Sequence, residues 1–78
     1  FIALPGGNGT LEEISEIMSM VSLNHTSAPC IVYNINGYYD LLEAFLAQMI
    51  DAGYSTAKRQ QGIYFVKSLE EIEAILEA

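Results

Sequence analysis

The stretch Phe1-Ile2-Ala3-Leu4-Pro5-Gly6-Gly7-Asn8-Gly9-Thr10-Leu11-Glu12-Glu13 decides the fold of this chain. It reads as a strand, a glycine turn and the start of a helix. A strand that delivers a glycine-rich turn onto a helix N-terminus presents unpaired backbone N–H groups and the positive end of the helix dipole, an arrangement suited to an anionic oxygen such as a phosphate. Two carboxylates, Glu12 and Glu13, are expected in the first turn of the same helix. A phosphate cradle beside acid points to a site that holds a phosphorylated small molecule and acts on it. Residues 1–4 lack polar alternation, the look of a parallel strand buried on both faces, and such a strand needs neighbours on both sides.

Outward from this stretch, apolar spacing switches between helical periodicity and short runs. Leu11, Ile14, Ile17, Met18 and Val21 recur at helical spacing, with Met20 and Leu23 widening the stripe. Residues 24–29 break it. Cys30-Ile31-Val32-Tyr33 is a second buried strand, closed by the turn-prone Asn34-Ile35-Asn36-Gly37. Tyr38, Leu41, Leu42, Phe45, Leu46 and Met49 make the next helical face, which Gly53 ends. Residues 55–61 form a loop, and Ile63-Tyr64-Phe65-Val66 is the third strand. Ser68-Leu69-Glu70-Glu71 is a capping box opening a last helix that carries Leu69, Ile72, Ile75 and Leu76. The order βαβαβα predicts an α/β fold with right-handed crossovers and a parallel sheet. Ligands in such sheets bind outside the carboxyl ends of strands, where the turn at residues 5–10 sits.

Composition narrows the partners. The 78 residues hold ten acidic and three basic side chains, a net charge of −7. Nucleic-acid surfaces depend on clustered Lys and Arg, so no nucleic-acid partner is expected. No apolar run approaches the roughly 20 residues of a membrane span, so no membrane partner is expected either. One cysteine, Cys30, rules out an intramolecular disulfide, and with no leader in the sequence it fits a reducing, cytoplasmic setting. The chain opens within an apolar run and without Met, which predicts that residues 1–78 are the C-terminal part of a single domain whose N-terminal part is absent.

The glycine turn is neither of two familiar phosphate motifs. The Lys and spacing of a P-loop are missing. Gly7-Asn8-Gly9 supplies the GxG of a dinucleotide fingerprint, but Glu12 stands where the third glycine belongs. The nine residues Pro5 to Glu13 together are more specific: PGGNGTLEE matches the PGGxGTxxE motif of the Lonely-Guy family, the cytokinin riboside 5′-monophosphate phosphoribohydrolases long labelled lysine decarboxylases. Pro29 before the second strand and Asn36-Gly37-Tyr38-Tyr39-Asp40 before the next helix resemble the same family. The resemblance spans essentially the whole chain but only the C-terminal half of a family domain, and it implies a Rossmann-like nucleotide-binding fold.

What the resemblance implies is hydrolysis of the N-glycosidic bond of a nucleoside 5′-monophosphate, a cytokinin riboside monophosphate or AMP, to free base and ribose 5-phosphate. Carried over by position, Gly6, Gly7, Asn8, Gly9 and Thr10 hold the 5′-phosphate and Glu13 is the catalytic carboxylate; Glu12 is a further candidate, for contact with the sugar hydroxyls. The family's catalytic Arg and an upstream glycine-rich segment lie N-terminal to the motif, and Arg59 is too far along the chain to be that Arg. The chain alone is therefore expected to be inactive. The resemblance also implies a homodimer with active sites near the two-fold interface, and the wide apolar stripe of the first helix fits a second burial partner. No cofactor is expected.

Each singled-out residue also has a plainer role. Thr10-Leu11-Glu12-Glu13 is itself a capping box, in which Thr10 accepts from a helical N–H and Glu13 reaches back to the cap. Glu12 and Glu16 favour the helix dipole or solvent. His25 has no Cys or Asp at ligand spacing, so it is assigned no metal. Cys30 is core, with no activating base in view. Tyr38 and Tyr39 are candidates for contact with a base or a subunit, but at the head of an amphipathic helix packing is the plainer role, and Met18 and Met20 are assigned to core or interface. Two other functions compete with hydrolysis. One is a nucleotide or molybdenum-cofactor carrier, since carriers share the scaffold and the glycine loop. The other is a true lysine decarboxylase, which needs pyridoxal phosphate on a Lys, and only Lys58 and Lys67, flanking the last strand, are on offer.

Overall fold

The computed structural model describes residues 1–23 and 28–77. Elements run β1 (Ile2–Ala3), α1 (Asn8–Ser22), β2 (Cys30–Tyr33), a 3₁₀ turn (Ile35–Gly37), α2 (Asp40–Asp51), β3 (Ile63–Val66) and α3 (Leu69–Glu77). All three strands and all three helices stand where the apolar spacing puts them. The expected break at residues 24–29 and His25 fall largely or wholly outside the described residues.

The strands form one parallel sheet in the order β1-β2-β3, with Ile2 beside Ile31 and Ala3 beside Val32, and with Ile31 beside Tyr64 and Val32 beside Phe65. This is the α/β, Rossmann-like arrangement of repeated crossovers. Alternation along each strand sorts the side chains into two layers. Cys30 and Val32 face a core with Ala3, Ile14, Val21 and Tyr39, onto which Ile17, Met18, Leu42, Ile63 and Phe65 pack from α1, α2 and β3. Ile31 faces the other way, onto Val66 and Ile72, with Tyr33 and Ile75 alongside. Thus α1 and α2 share one face and α3 covers the other.

The strand buried on both faces is β2: Cys30, Ile31 and Val32 are each 0% exposed. The expectation that residues 1–4 are buried on both faces is corrected here. Among the described residues strand β1 pairs only with β2; Ala3 is buried, but Ile2 is 44% and Leu4 57% exposed, because α3 lies over the β2 and β3 side of its face. A second correction concerns α2. Its expected single apolar face splits, with Leu46 buried and Leu42 and Met49 half-buried, while Leu41 is 86% exposed and Phe45 is also exposed.

Helix ends follow local chemistry. After α2 the chain turns at Gly53 (φ 86°), whose N–H reaches Ile50 O at 3.1 Å while Tyr54 N–H reaches Met49 O at 2.9 Å. A left-handed residue that closes a helix in this way is most easily a glycine. Before α3, Ser68 Oγ accepts the Glu71 N–H at 3.2 Å, as the capping box requires. Glu71 reaches back one residue further than expected, to the Lys67 N–H at 2.5 Å.

Because Ile14 is the helix residue that plugs the α1 face of the sheet, at 0% exposure, Ile14→Ala removes a buried side chain and leaves a cavity. A loss of about 2–5 kcal/mol in unfolding free energy is expected, read from urea denaturation.

Candidate functional site

The site is built at the carboxyl ends of β1 and β2, where two turns meet. From β1 the chain passes Leu4 and Pro5 into the glycine turn, and Gly7 becomes the N-cap of α1 with φ −106° and ψ −145° and no side-chain cap. The first helical turn is closed by the Leu11 N–H on Gly7 O at 3.1 Å. That leaves the N–H groups of Asn8, Gly9 and Thr10 without a backbone acceptor among the described residues.

This geometry corrects two expectations. The helix starts at Asn8, so Glu12 and Glu13 stand in its second turn and no acidic residue is in the first. The Thr10–Glu13 capping box does not form, because Gly7 has already capped the helix and Thr10 lies inside it. Glu13 is exposed and has no hydrogen-bond partner among the described residues. Its carboxylate is therefore not engaged in capping.

The three glycines of the turn differ. A Cβ on Gly6 would collide with Thr10, overlapping its Oγ1 and lying 2.9 Å from its Cβ. Among the described residues nothing lies within 4 Å of where a Cβ would stand on Gly7 or Gly9. Packing inside the chain thus accounts for Gly6 but leaves open space around the other two.

From β2 the chain enters Asn34, a buried polar residue at 2% exposure. A buried amide must find partners, and Asn34 does: its Nδ2 donates to Asp40 Oδ1 at 2.7 Å, its Oδ1 accepts the Tyr39 N–H at 2.6 Å, and its own N–H donates to Val66 O at 2.7 Å. The intervening turn needs left-handed backbone at Asn36 (φ 54°) and Gly37 (φ 73°), and at Gly37 a Cβ would also meet Asp40 Oδ2 at 2.6 Å. Asn and Gly are the residues that tolerate this region.

Two tyrosines emerge from this turn and reach the other. The Tyr38 hydroxyl donates to Gly6 O at 2.5 Å, and the Tyr39 hydroxyl donates to Leu4 O at 2.6 Å. Their rings meet edge to face, centroids 5.0 Å apart. Burial raises the Tyr39 pKa above its ordinary 10.0, Tyr38 adds to this, and a Gly6 backbone hydrogen bond opposes it. The group therefore remains a neutral donor through neutral pH, and the stability it contributes is lost only as pH rises above that value. Sequence spacing favours packing for both tyrosines over contact with a base or a subunit. Tyr39 does pack in the core, but Tyr38 is 56% exposed and its hydroxyl is a clasp. The signal available in the sequence was their position just past the end of β2, which a parallel sheet brings beside the end of β1.

Gly6, Gly7, Asn8 and Leu11 line an open pocket of about 280 Å³ with Tyr38, Tyr39 and Leu42. Of the residues singled out from the motif, the structure brings Gly6, Gly7 and Asn8 to this pocket. Glu13 is not among its walls, because two positions beyond Leu11 on a 3.6-residue helix is about 160° around the axis. Glu13 thus stands on the flank of α1 away from α2. Arg59 is exposed beside a different groove, with Ser15, Met18, Leu46 and Met49, and takes no part in the turn. Cys30 is core as expected, its thiol pKa pushed up by burial. Neither Lys58 nor Lys67 lines either pocket. No described helix is long and apolar enough to cross a membrane.

Known proteins place this geometry in a family. The model of the family described as "Possible lysine decarboxylase" matches residues 1–76. Relatives include cytokinin riboside 5′-monophosphate phosphoribohydrolase LOG4 of Arabidopsis thaliana, 35% identical over 99% of this chain and 36% of its own length. The probable cytokinin riboside 5′-monophosphate phosphoribohydrolase LOGL3 of Oryza sativa subsp. japonica matches at 35% over the same shares. LOG2 of Arabidopsis thaliana, with the same enzyme name, is 43% identical over 76% of this chain and 29% of its own length. The chain spans about a third of the length of the relatives it matches. With its glycine turn, the helix that follows it and all three strands inside the matched region, the chain belongs to the Lonely-Guy family, the one described as possible lysine decarboxylase.

Proposed function

We propose that this chain carries the phosphate-holding turn and one catalytic carboxylate of an enzyme that hydrolyses the N-glycosidic bond of a nucleoside 5′-monophosphate. The observation that carries the reading is the glycine turn itself: among the described residues, the N–H groups of Asn8, Gly9 and Thr10 have no acceptor, and they stand beside two glycines, Gly7 and Gly9, that no described contact requires. Donors without partners next to backbone without side chains suit close approach of an anionic group. The names of the relatives supply the chemistry, a phosphoribohydrolase acting on a cytokinin riboside 5′-monophosphate.

In this mechanism Gly6, Gly7, Asn8, Gly9 and Thr10 receive the 5′-phosphate, and binding energy from that remote group positions the ribose. Water adds to C1′, the C1′–N bond breaks with its electron pair passing to the base, and the base takes up a proton. Positive charge develops on the ribose as the base departs. Glu13 stabilises that charge or orients the water, as carboxylates do in glycoside hydrolysis. Its freedom from capping leaves the carboxylate available for this role. Glu12, its neighbour, is assigned to the sugar hydroxyls. The free, buried Cys30 fits a reducing cytoplasmic setting.

Apolar side chains left uncovered support assembly as a homodimer: Leu11 and Met20 on α1, Leu23 just past its end, and Leu41 and Phe45 on α2. Sedimentation of the intact protein should give a dimer or a larger assembly, and a monomer at working concentrations would remove this part of the reading.

Two substitutions separate structure from function at the turn. Gly9→Ala enters open space in a helix, so stability should hold or rise by up to about 1 kcal/mol, while the Kd for ribose 5-phosphate rises about tenfold, equivalent to roughly 1.4 kcal/mol. Gly6→Ala should instead cost about 1–3 kcal/mol of stability through its collision with Thr10. Thermal melts and calorimetric titration report both.

Glu13→Gln should lower kcat about 100-fold or more with AMP or a cytokinin riboside monophosphate, leaving the melting temperature and ribose 5-phosphate affinity unchanged. Release of base and ribose 5-phosphate is the readout. Normal hydrolysis by the variant would remove Glu13 from the mechanism, and phosphate binding without hydrolysis in the unmutated protein would favour the carrier function.

A further inference from the structure

We infer that Tyr38 and Tyr39 are positioning residues that make the glycine turn selective for anions, by holding its carbonyl oxygens so that only N–H donors face the ligand. The inference rests on the reading that this turn receives the 5′-phosphate.

A helix start is not automatically clean of acceptors. In a regular helix the Thr10 N–H would donate four residues back, to Gly6 O. Here Gly6 O accepts the Tyr38 hydroxyl at 2.5 Å instead, and the first helical bond belongs to Leu11, on Gly7 O. Thr10 is the third residue of α1, so its N–H is one of the donors any helix start leaves unpaired, and the Tyr38 hydroxyl holds the Gly6 oxygen that lies nearest in sequence to pairing with it. Tyr39 does the equivalent one step earlier, its hydroxyl fixing Leu4 O at 2.6 Å where β1 gives way to the turn. A carbonyl swung toward a phosphate oxygen repels it, so the position of these two oxygens decides whether the turn attracts or rejects an anion.

The clasp is anchored at its other end in the core. Tyr39 is 8% exposed, its backbone N–H is held by Asn34 Oδ1 at 2.6 Å, and Asn34 is held in turn by Asp40 and by the backbone of β3. Tyr38 stands against Tyr39 edge to face. The turn after β1 is thus set by groups rooted in β2 and β3, and the hydroxyls are the part that touches it. Neither tyrosine is a catalytic residue in this proposal; each acts through the backbone it holds.

The test uses Tyr38→Phe and Tyr39→Phe in the intact protein, with each ring kept and only the hydroxyl lost. Calorimetry gives Kd for ribose 5-phosphate and for ribose, and steady-state assays give kcat and KM for AMP and for adenosine. Tyr38→Phe should raise Kd for ribose 5-phosphate and KM for AMP about five- to tenfold, with kcat within about twofold and no matching loss for ribose or adenosine. Tyr39→Phe should act in the same direction. Tyr38 is 56% exposed, so its variant keeps the fold and carries the test even if Tyr39→Phe melts early. Equal losses for phosphorylated and unphosphorylated ligands would show a general structural role and overturn the proposal, as would unchanged ribose 5-phosphate binding in Tyr38→Phe. A protein that binds ribose 5-phosphate but cleaves no nucleotide would defeat the hydrolase reading alone, since the binding arm still decides the role of the tyrosines. An unmutated protein that binds no ribose 5-phosphate would overturn both.

Discussion

The structure depends on burying β2 on both faces. Three consecutive side chains, Cys30, Ile31 and Val32, leave water entirely, and because alternate residues of a strand point to opposite faces, one short strand founds two cores. Helices α1 and α2 close one and α3 the other. Such burial is favourable only if the backbone polar groups of the strand are paired on both edges, which requires β1 on one side and β3 on the other. The same constraint continues past the strand, into Asn34. An amide buried at the end of β2 has to find donors and acceptors, and those it finds fix the turn from which Tyr38 and Tyr39 reach across to the end of β1.

The chain thus makes its candidate site by bringing two strand ends together, with side chains of the second turn setting the backbone of the first. This division of labour suits a strongly acidic chain. With three basic side chains in 78 residues, these residues have little cationic charge to offer a phosphate, and under the proposed function dipoles would supply what charge does not. Backbone N–H groups are useful in that role only if their geometry is fixed beforehand, since a flexible turn would satisfy its donors with its own carbonyls or with water.

Much of this was legible in the sequence because it depends on local patterns. The apolar runs at 30–33 and 63–66, the helical spacing of Ile14, Ile17, Met18 and Val21, the Gly53 stop and the Ser68 cap are all set by neighbours within a few residues. What was not legible depends on contacts between distant segments. Whether Leu41 and Phe45 or Leu42 and Leu46 turn inward is decided by where the sheet lies, and a stripe as wide as that of α2 fits either choice. The start of α1 was misplaced because Thr10-Leu11-Glu12-Glu13 has the composition of a capping box, while Gly7 capped the helix earlier with backbone alone. The tyrosine clasps join residues 32 and 35 positions apart, beyond the reach of any local rule. For Glu13, position in the motif suggests a role, and the structure adds that no other group within the described chain engages its carboxylate.

The unequal pairing of the sheet has a bearing on local opening. The crossover from Ile2 to Ile31 and the one from Ile31 to Tyr64 are of nearly the same length, so loop-closure entropy, which grows only logarithmically, hardly separates them. Pairing does: β2 and β3 share four residue pairs and β1 and β2 only two. Within residues 1–78 taken alone, the strand that carries the glycine turn is therefore the one that detaches at least cost while the rest stays folded, a sub-global opening of the kind hydrogen exchange detects. The hydroxyls of Tyr38 and Tyr39 raise that cost, and breaking them is part of releasing β1. A ligand bound across the turn would close the same door from the outside, slowing amide exchange in β1 more than in β2 or β3.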